Sequence, residues 1–375
     1  MTTQPTYDCA IIGGGLAGLS MAILMANQGR QVILFEKEQY PFHKVCGEYI
    51  SLESEDFLRN LGIPVREMEL PFIDKLLVTA PNGNKLEQRL PLGGFGISRY
   101  KLDDMLCRIA RSKGVTVVEN CKVSETIFNQ EQFELRTNAG SFRAKTCCGS
   151  FGKRSNLDVK WKRAFAGQAA RRLNQYTGIK YHIQTDFPPD TIALHNFPDG
   201  YCGISKIEDD RYCLCYLTHS GNLKKSDQQV AVMEQQILST NPHLKELLTK
   251  AKHLYTEPVS ISQVSFLKKS QVEDHVLLLG DAAGLITPLC GNGMSMAKIA
   301  AGMVEAFLTG SISRQKMEEG YVRQWRKTFA RRLWFGRIIQ YFFGKAAVTN
   351  IFISVLKRLP GITRWLIKQT HGRPF

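Results

Sequence analysis

Residues 9–12 (CAII) are a short uncharged apolar run, the pattern of a strand buried on both faces. Residues 16–27 are rich in Ala, Leu and Met, which favours helix, and Gly29 is placed to end it. Residues 31–35 (QVILF) repeat the buried-strand pattern, with Glu36 at the carboxyl end. A helix-like segment then runs to Leu61, and residues 72–89 hold two β-rich runs around Pro81-Asn82-Gly83-Asn84, which predicts a hairpin. Leu102, Met105, Leu106 and Ile109 fall at helical spacing over residues 102–110, with Ser98 available as a cap. Residues 115–119 read as a strand, a hairpin runs from Cys121 to Arg143, and residues 146–155 return to a strand followed by a glycine turn.

The second half changes character. Strands are predicted over 176–185, 191–197, 201–207 and 211–218, separated by Pro188-Pro189, Pro198-Asp199-Gly200 and Asp209-Asp210 turns. Residues 228–250 predict a helix, residues 275–279 an all-apolar strand, and residues 292–308 a long helix. Between strand and helix stands Gly280-Asp281-Ala282-Ala283-Gly284, then Pro288 and Gly291-Asn292-Gly293.

The first strand runs directly into Gly13-Gly14-Gly15-Leu16-Ala17-Gly18, a G-x-G-x-x-G in a strand–turn–helix–strand context. In that context Gly13 serves the tight turn, Gly15 lets backbone N–H groups approach a pyrophosphate, and Gly18 lets helix and strand pack closely. Glu36 can accept hydrogen bonds from a ribose diol. The order of elements predicts an α/β chain with a discontinuous Rossmann-like dinucleotide domain (1–70, 96–160 and 265–310). Residues 71–95 and 161–264 form an inserted antiparallel-sheet substrate domain, and 311–375 a basic helical C-terminal region. At the second station a strand delivers Asp281, and the backbone N–H groups of residues 291–293 open a helix whose positive end favours partial negative charge. A reduced isoalloxazine develops such charge at its N1/C2=O edge, so the pair of stations points to FAD.

These stations, with Arg99 before Leu102-Asp103, resemble the FAD-dependent superfamily of aromatic-ring hydroxylases, flavin-dependent halogenases and geranylgeranyl reductases. The Lys44-x-Cys46-Gly47-Glu48 stretch is most similar to the geranylgeranyl-reductase-like branch. The resemblance implies cofactor contacts from Gly13–Gly18 (Gly14, Leu16 and Ala17 included), Glu36 with Lys37, and Lys44 with Cys46. It further implies Arg99 near the pyrophosphate or ribityl chain, the Val123 backbone near adenine, and Gly280 and Asp281 on the ribityl hydroxyls. Pro288, Gly291, Asn292, Gly293 and Met294 would lie beside the pyrimidine edge. One departure stands out: the G-A-D-G-x-x-S block of the hydroxylases is here Gly149-Ser150-Phe151-Gly152-Lys153-Arg154-Ser155. Phe151 replaces a carboxylate, so a donor other than a directly bound nicotinamide is expected. The W-x-W-x-I-P element of tryptophan halogenases is absent.

Charge changes the picture only at one end. Residues 311–375 carry 14 Lys and Arg against two acids, a net of +12, whereas the remaining residues carry a net of only +3. Trp325 and Phe329 fall at helical spacing among Arg323, Arg326 and Lys327, so this tail is either a membrane-surface contact or a helical cap on the body. No nucleic-acid-reading module accompanies the charge. Ten scattered cysteines form no metal fingerprint, and none is assigned to a metal. With polar residues 1–6 preceding the first strand and no run long enough to span a bilayer, the expected location is cytoplasmic or peripheral on the inner membrane face. Cys46 beside Lys44 is a weak candidate for chemistry, set against a buried turn cysteine. His43, His195 and Tyr201 are equally candidates for a cavity wall or for ordinary packing. Lys162, Arg163, Arg171 and Arg172 read as a solvated basic face. The resulting expectation is an FAD oxidoreductase acting on a hydrophobic substrate. Reduction of a C=C bond is favoured over monooxygenation, with a redox-partner or halogenase role as further alternatives.

Overall fold

The computed structural model describes residues 5–167, 176–285, 292–342 and 345–370. Pro288, Gly291, Arg171 and Arg172 lie outside the described residues. The chain begins with β1 (Thr6–Ile12), α1 (Leu16–Asn27) and β2 (Val32–Phe35). There follow β3 (Tyr49–Ser51), α2 (Glu55–Leu61), β4 (Phe72–Thr79), β5 (Lys85–Gly96), α3 (Arg99–Ser112) and β6 (Thr116–Val118). A meander β7 (Val123–Asn129), β8 (Gln132–Thr137) and β9 (Gly140–Gly149) leads to β10 (Tyr176–Gln184), β11 (Thr191–Phe197), β12 (Gly200–Ile207) and β13 (Arg211–His219). Then come α4 (Val230–Gln236), α5 (Pro242–Lys250), β14 (Lys252–His253), β15 (Val259–Val264), β16 (Val272–Glu273) and β17 (Val276–Leu278). Four helices close the chain: α6 (Asn292–Leu308), α7 (Arg314–Phe342), α8 (Ala346–Arg358) and α9 (Pro360–Thr370).

The first sheet has the order β16-β17-β9-β1-β2-β6 and is parallel from β17 to β6. β9 serves twice, antiparallel to β8 at its start and parallel to β1 through Gly149. Its strands are apolar because helices cover them: α1 packs against α3 and α6, and their side chains join one core. The second sheet has the order β14-β10-β13-β12-β11-β4-β5-β3, with β15 also on β10. It is antiparallel except where β11 runs parallel to β4. Met233 of α4 and Leu244 and Leu247 of α5 pack on one region of this sheet, and Ile353 and Leu356 of α8 on another. β3, which leaves the Lys44–Glu48 stretch, pairs with the end of β5 and so belongs to the second sheet.

Two sequence expectations change, and one open alternative is narrowed. Residues 228–250 are not one helix: Pro242 cannot donate to a preceding turn, so the helix breaks, and Asn241 caps the restart by accepting from His243 N–H. Arg163 is not on a solvated face. Its guanidinium is buried, donating to Asp158 at 2.6 Å and to the Ala282 carbonyl at 3.0 Å. The stripe of α7 faces the body, where Tyr321, Trp325, Phe329 and Leu333 are buried in the first-sheet core. α7 is therefore a cap, and the exposed large apolar residues of the tail are instead Trp334, Ile351, Val355, Leu359, Ile362 and Trp365. No described helix is long and apolar enough to cross a membrane.

Candidate FAD site

β1 ends at Ile12 and the chain turns at Gly13, whose φ of +102° suits glycine. A Cβ there would lie 2.5 Å from the Ser150 carbonyl oxygen, so the turn is also too close to the β9 exit for a side chain. Gly15 is the residue before α1, and no side chain caps that helix. A Cβ on Gly15 would meet only Arg99 Nη2 at 3.5 Å and Lys44 Nζ at 3.9 Å. An uncapped helix start with two cations across an open gap is a cradle for a diphosphate. Glu36, buried at the end of β2, accepts from Gly14 N–H at 2.9 Å and Glu38 N–H at 3.2 Å. Cys121 N–H donates to the Glu36 carbonyl at 2.8 Å, which brings the start of β7, and so Val123, beside it. Lys37 points to solvent.

The two cations are held by one acid. Lys44 Nζ donates to Asp103 at 3.0 Å and to the Gly14 carbonyl at 3.1 Å, while Arg99 grips Asp103 through two bonds of 2.8 Å. Burial works against the Asp103 charge, but Arg99 and then Lys44 outweigh it and hold the carboxyl below its ordinary value. Burial likewise opposes the Arg99 charge, and Asp103 more than offsets it. The Cys46 thiol is close enough to add to the field at the Arg99 guanidinium. Ser98 caps α3 by accepting from Lys101 N–H at 3.1 Å, and this orients Arg99 at the first helical position.

The second station meets the first across α1. A Cβ on Gly293 would lie 3.6 Å from Ala17 Cβ and 3.8 Å from Gly280 Cα, and one on Gly280 would lie 3.3 Å from Ala17 Cβ. The stretches near positions 15 and 285 thus face each other at the carboxyl ends of β1 and β17, where open α/β sheets place ligands. Asp281 sits in a 3₁₀ turn after β17, and its side chain has no hydrogen-bond partner among the described residues. Its backbone is pinned from behind. Lys269 Nζ donates to the Asp281 carbonyl at 2.7 Å and the Lys153 carbonyl at 3.0 Å, and burial brings the Lys269 pKa down to about 8. Met294 is buried in the first turns of α6. Uncapped N–H groups, two cations and a carboxylate gathered at the carboxyl ends of the first sheet's strands fit the diphosphate, ribose and ribityl parts of FAD.

Residues 8–44, which contain the whole first station, match the family model described as FAD binding domain. The chain is an FAD-dependent oxidoreductase. The flavoenzyme is 25% identical to conditioned medium factor receptor 1 of Dictyostelium discoideum, over 87% of this chain and 68% of that protein. It is 24% identical to a digeranylgeranylglycerophospholipid reductase of Methanosarcina acetivorans, over 86% of this chain and 81% of the relative. Among solved structures, that of the flavin-dependent brominase Bmp2 superposes with a TM-score of 0.78 at 22% identity, covering 98% of this chain and 93% of that one. The shared fold thus carries both reductases and halogenases.

Of the remaining candidates, His195 is buried with Nδ1 2.9 Å from Thr79 Oγ1, a packing role in the second sheet. Tyr201 lies near Cys46 and Cys215, and burial raises its pKa above the ordinary phenol value. Phe151 packs beside Trp161, with ring centroids 6.1 Å apart. His43 stacks on Tyr100 and, with His182 and Tyr255, lines a cleft of about 560 Å³; burial lowers its pKa to about 4. Sequence reasoning missed a buried set behind Cys46: Glu48, Lys180 and His182. The available signal was Lys180 and His182 two apart on one face of β10, interleaved with Ile179, Tyr181 and Ile183. Glu48, His182 and Cys213 bring potential ligand atoms within 4.8 Å of one another. The Lys180 ammonium already sits on the same carboxylate, so this is an ion-pair cluster with its cation in place.

Proposed function

We propose that this flavoenzyme reduces a C=C bond of a hydrophobic, lipid-like substrate held between the FAD-binding unit and the inserted sheet. The division expected from sequence, with the dinucleotide unit at 1–70, 96–160 and 265–310, belongs to the same proposal, less β3 (Tyr49–Ser51), which pairs with the second sheet. FAD, when bound, supplies the two-electron chemistry. The chain's own residues do the rest. The N-terminus of α1 with Lys44 and Arg99 takes the diphosphate, Glu36 the ribose diol, and Asp281 the ribityl hydroxyls. The start of α6 offers N–H groups to the flavin's negative edge. The observation that carries the reading is Cys46, close to Arg99 beside this cradle, in a Lys-x-Cys-Gly-Glu stretch like that of the reductase branch. Likeness to a digeranylgeranylglycerophospholipid reductase supports a lipid substrate, and Phe151, a ring beside Trp161 in place of a carboxylate, supports an electron donor other than a directly bound nicotinamide. Anaerobic turnover of a prenyl lipid with dithionite as donor tests this. Saturated product without oxygen is the expected result, and strict oxygen dependence would give the assignment to a monooxygenase. Halide-dependent product would give it to a halogenase.

A membrane surface as partner of the tail is supported by one feature. Ile351 and Val355 on α8, Ile362 and Trp365 on α9, and Leu359 between them are exposed beside exposed Lys357, Arg358 and Arg364. Apolar and basic groups interleaved on adjoining helices suit an anionic lipid surface. Sedimentation with phosphatidylglycerol vesicles should carry the protein down, and Trp365→Ser with Ile351→Ser should leave it in solution at unchanged stability. Equal sedimentation of both proteins would refute the contact.

A further inference from the structure

Every carbonyl from Lys44 to Glu48 accepts a hydrogen bond from a residue distant in the chain. Lys180 Nζ donates to the Lys44 carbonyl at 3.2 Å and Lys153 Nζ to that of Val45 at 3.1 Å. Cys213 Sγ donates to the Cys46 carbonyl at 3.3 Å and Ser205 Oγ to that of Gly47 at 3.2 Å, while Ile97 N–H donates to Glu48 at 3.0 Å. Three of these donors stand on β10, β12 and β13 of the second sheet. The N–H groups of Val45, Cys46 and Gly47 have no acceptor among the described residues. A half-buried segment whose carbonyls are all taken, three of them by the second sheet, and whose N–H groups are left over, presents those N–H groups to water or to a bound ligand. It lies beside Lys44 Nζ and Arg99, the cations of the diphosphate cradle.

One carboxylate locks this arrangement. Glu48 has a φ of +56°, a left-handed conformation that costs a residue with a Cβ something to hold. One oxygen accepts from Arg99 N–H at 2.8 Å and from Lys180 Nζ; the other is 2.6 Å from His182 Nε2. All three side chains of the cluster are buried. Burial by itself would raise the Glu48 pKa, and His182 and Lys180 together bring it below the ordinary carboxyl value, so the group is anionic and the clamp is charge-assisted. The same carboxylate therefore ties the first residue of α3 to β10.

We propose that Glu48, Lys180 and His182 are positioning residues through which the second sheet holds residues 44–48 and Arg99 in the geometry that grips FAD, with the N–H groups of residues 45–47 as cofactor ligands. The proposal rests on FAD lying in the cradle at Gly15.

The test compares wild type, Glu48→Gln, and the pair Glu48→Gln with Lys180→Met. Glu48→Gln strands a buried ammonium, so both the apoprotein melting temperature and FAD affinity should fall, the latter at least tenfold. The double variant leaves no unpaired charge and should regain the melting temperature. Its FAD affinity should stay at least tenfold weaker and the bound-flavin midpoint potential should stay shifted. A role confined to stability predicts that affinity and potential recover with the fold, and that result would overturn the proposal. Hydrogen exchange on the wild-type protein decides independently of how the variants fold. FAD should slow exchange over residues 44–48 and also over 178–183. Protection limited to residues 13–18 would overturn the brace, whereas wild-type protein that binds no FAD would instead overturn the cradle.

Discussion

Both sheets bury their central strands and hold them by different chemistry. In the first, Cys9–Ile12 of β1, all of β2 and all of β17 are apolar, the charged residues within its strands, such as Asp8, Glu134 and Lys145, are not buried, and Glu36 and Asp281 stand beyond strand carboxyl ends. In the second, Lys180, His182, His195 and Asn196 are buried within the strands themselves. Each is bonded: His195 to Thr79, and Asn196 to the Thr79 carbonyl at 3.0 Å. Asn241 from the loop before α5 donates to Thr79 Oγ1 at 2.8 Å and to the Asn196 carbonyl at 2.9 Å. The difference separates two tasks. An apolar sheet with function at its rim can lose the function and keep its stability. A sheet tied together by polar contacts cannot, because each contact also places a neighbour, and a buried partner left alone is costly.

The largest expected effect comes from breaking the charged interior. Lys180→Met leaves Glu48 and its charge buried with His182 as its one remaining side-chain partner, and should lower unfolding free energy by about 3–5 kcal/mol. Urea denaturation of the apoprotein measures it. A loss under 1 kcal/mol would mean the ammonium contributes no more than a surface ion pair, and the contrast between the sheets would fail. Next in size is the rim of the first sheet. Gly15→Ala puts a methyl into the gap faced by Arg99 and Lys44 without touching the core. FAD affinity should fall about 100-fold, or about 2.7 kcal/mol, with the apoprotein melting temperature unchanged. If both fall together, rim and core are not separable.

Acid should distinguish the sheets as well. Burial, with His243 nearby, lowers the His195 pKa to about 3. The folded protein therefore keeps this ring neutral while the unfolded chain protonates it below about 6.5, so stability falls as pH drops through that window. Between pH 7.5 and pH 5 the loss due to this group should reach about 2 kcal/mol. His195→Asn, which keeps a side-chain partner for Thr79, should flatten the pH dependence by that amount. Parallel curves for the two proteins would show that His195 titrates normally.

How much of this was legible follows the same division. The strands of the first sheet, the Ser98 cap and the start of α6 at Asn292 could be read because uncharged runs, cap residues and glycine turns are local signals. The pairing of Ala17 with Gly280 and Gly293 joins stretches more than 250 residues apart, and no local signal gives that contact. Glu48 left no trace of its role, since one acid in a loop reads as solvated until the strand that buries it is in place. Arg163 was misread for the same reason: its partners, Asp158 and the Ala282 carbonyl, converge only in the fold. The α7 stripe was amphipathic in either reading, and periodicity says which face is apolar without saying what covers it.

The smallest effect sharpens the comparison from the apolar side. Ile33 lies in the middle of β2, fully buried between β1 and β6. Ile33→Val removes one methylene from a packed interior and should cost about 1 kcal/mol. No titratable group within β2 is disturbed, since Glu36 stands beyond the strand end, so the cost should be the same at pH 5 and pH 8. Denaturation curves at the two pH values would test this directly. A cost that grew on acidification would couple the interior of the first sheet to a protonation event. The division of labour between an inert parallel sheet and a charged antiparallel one would then have to be abandoned.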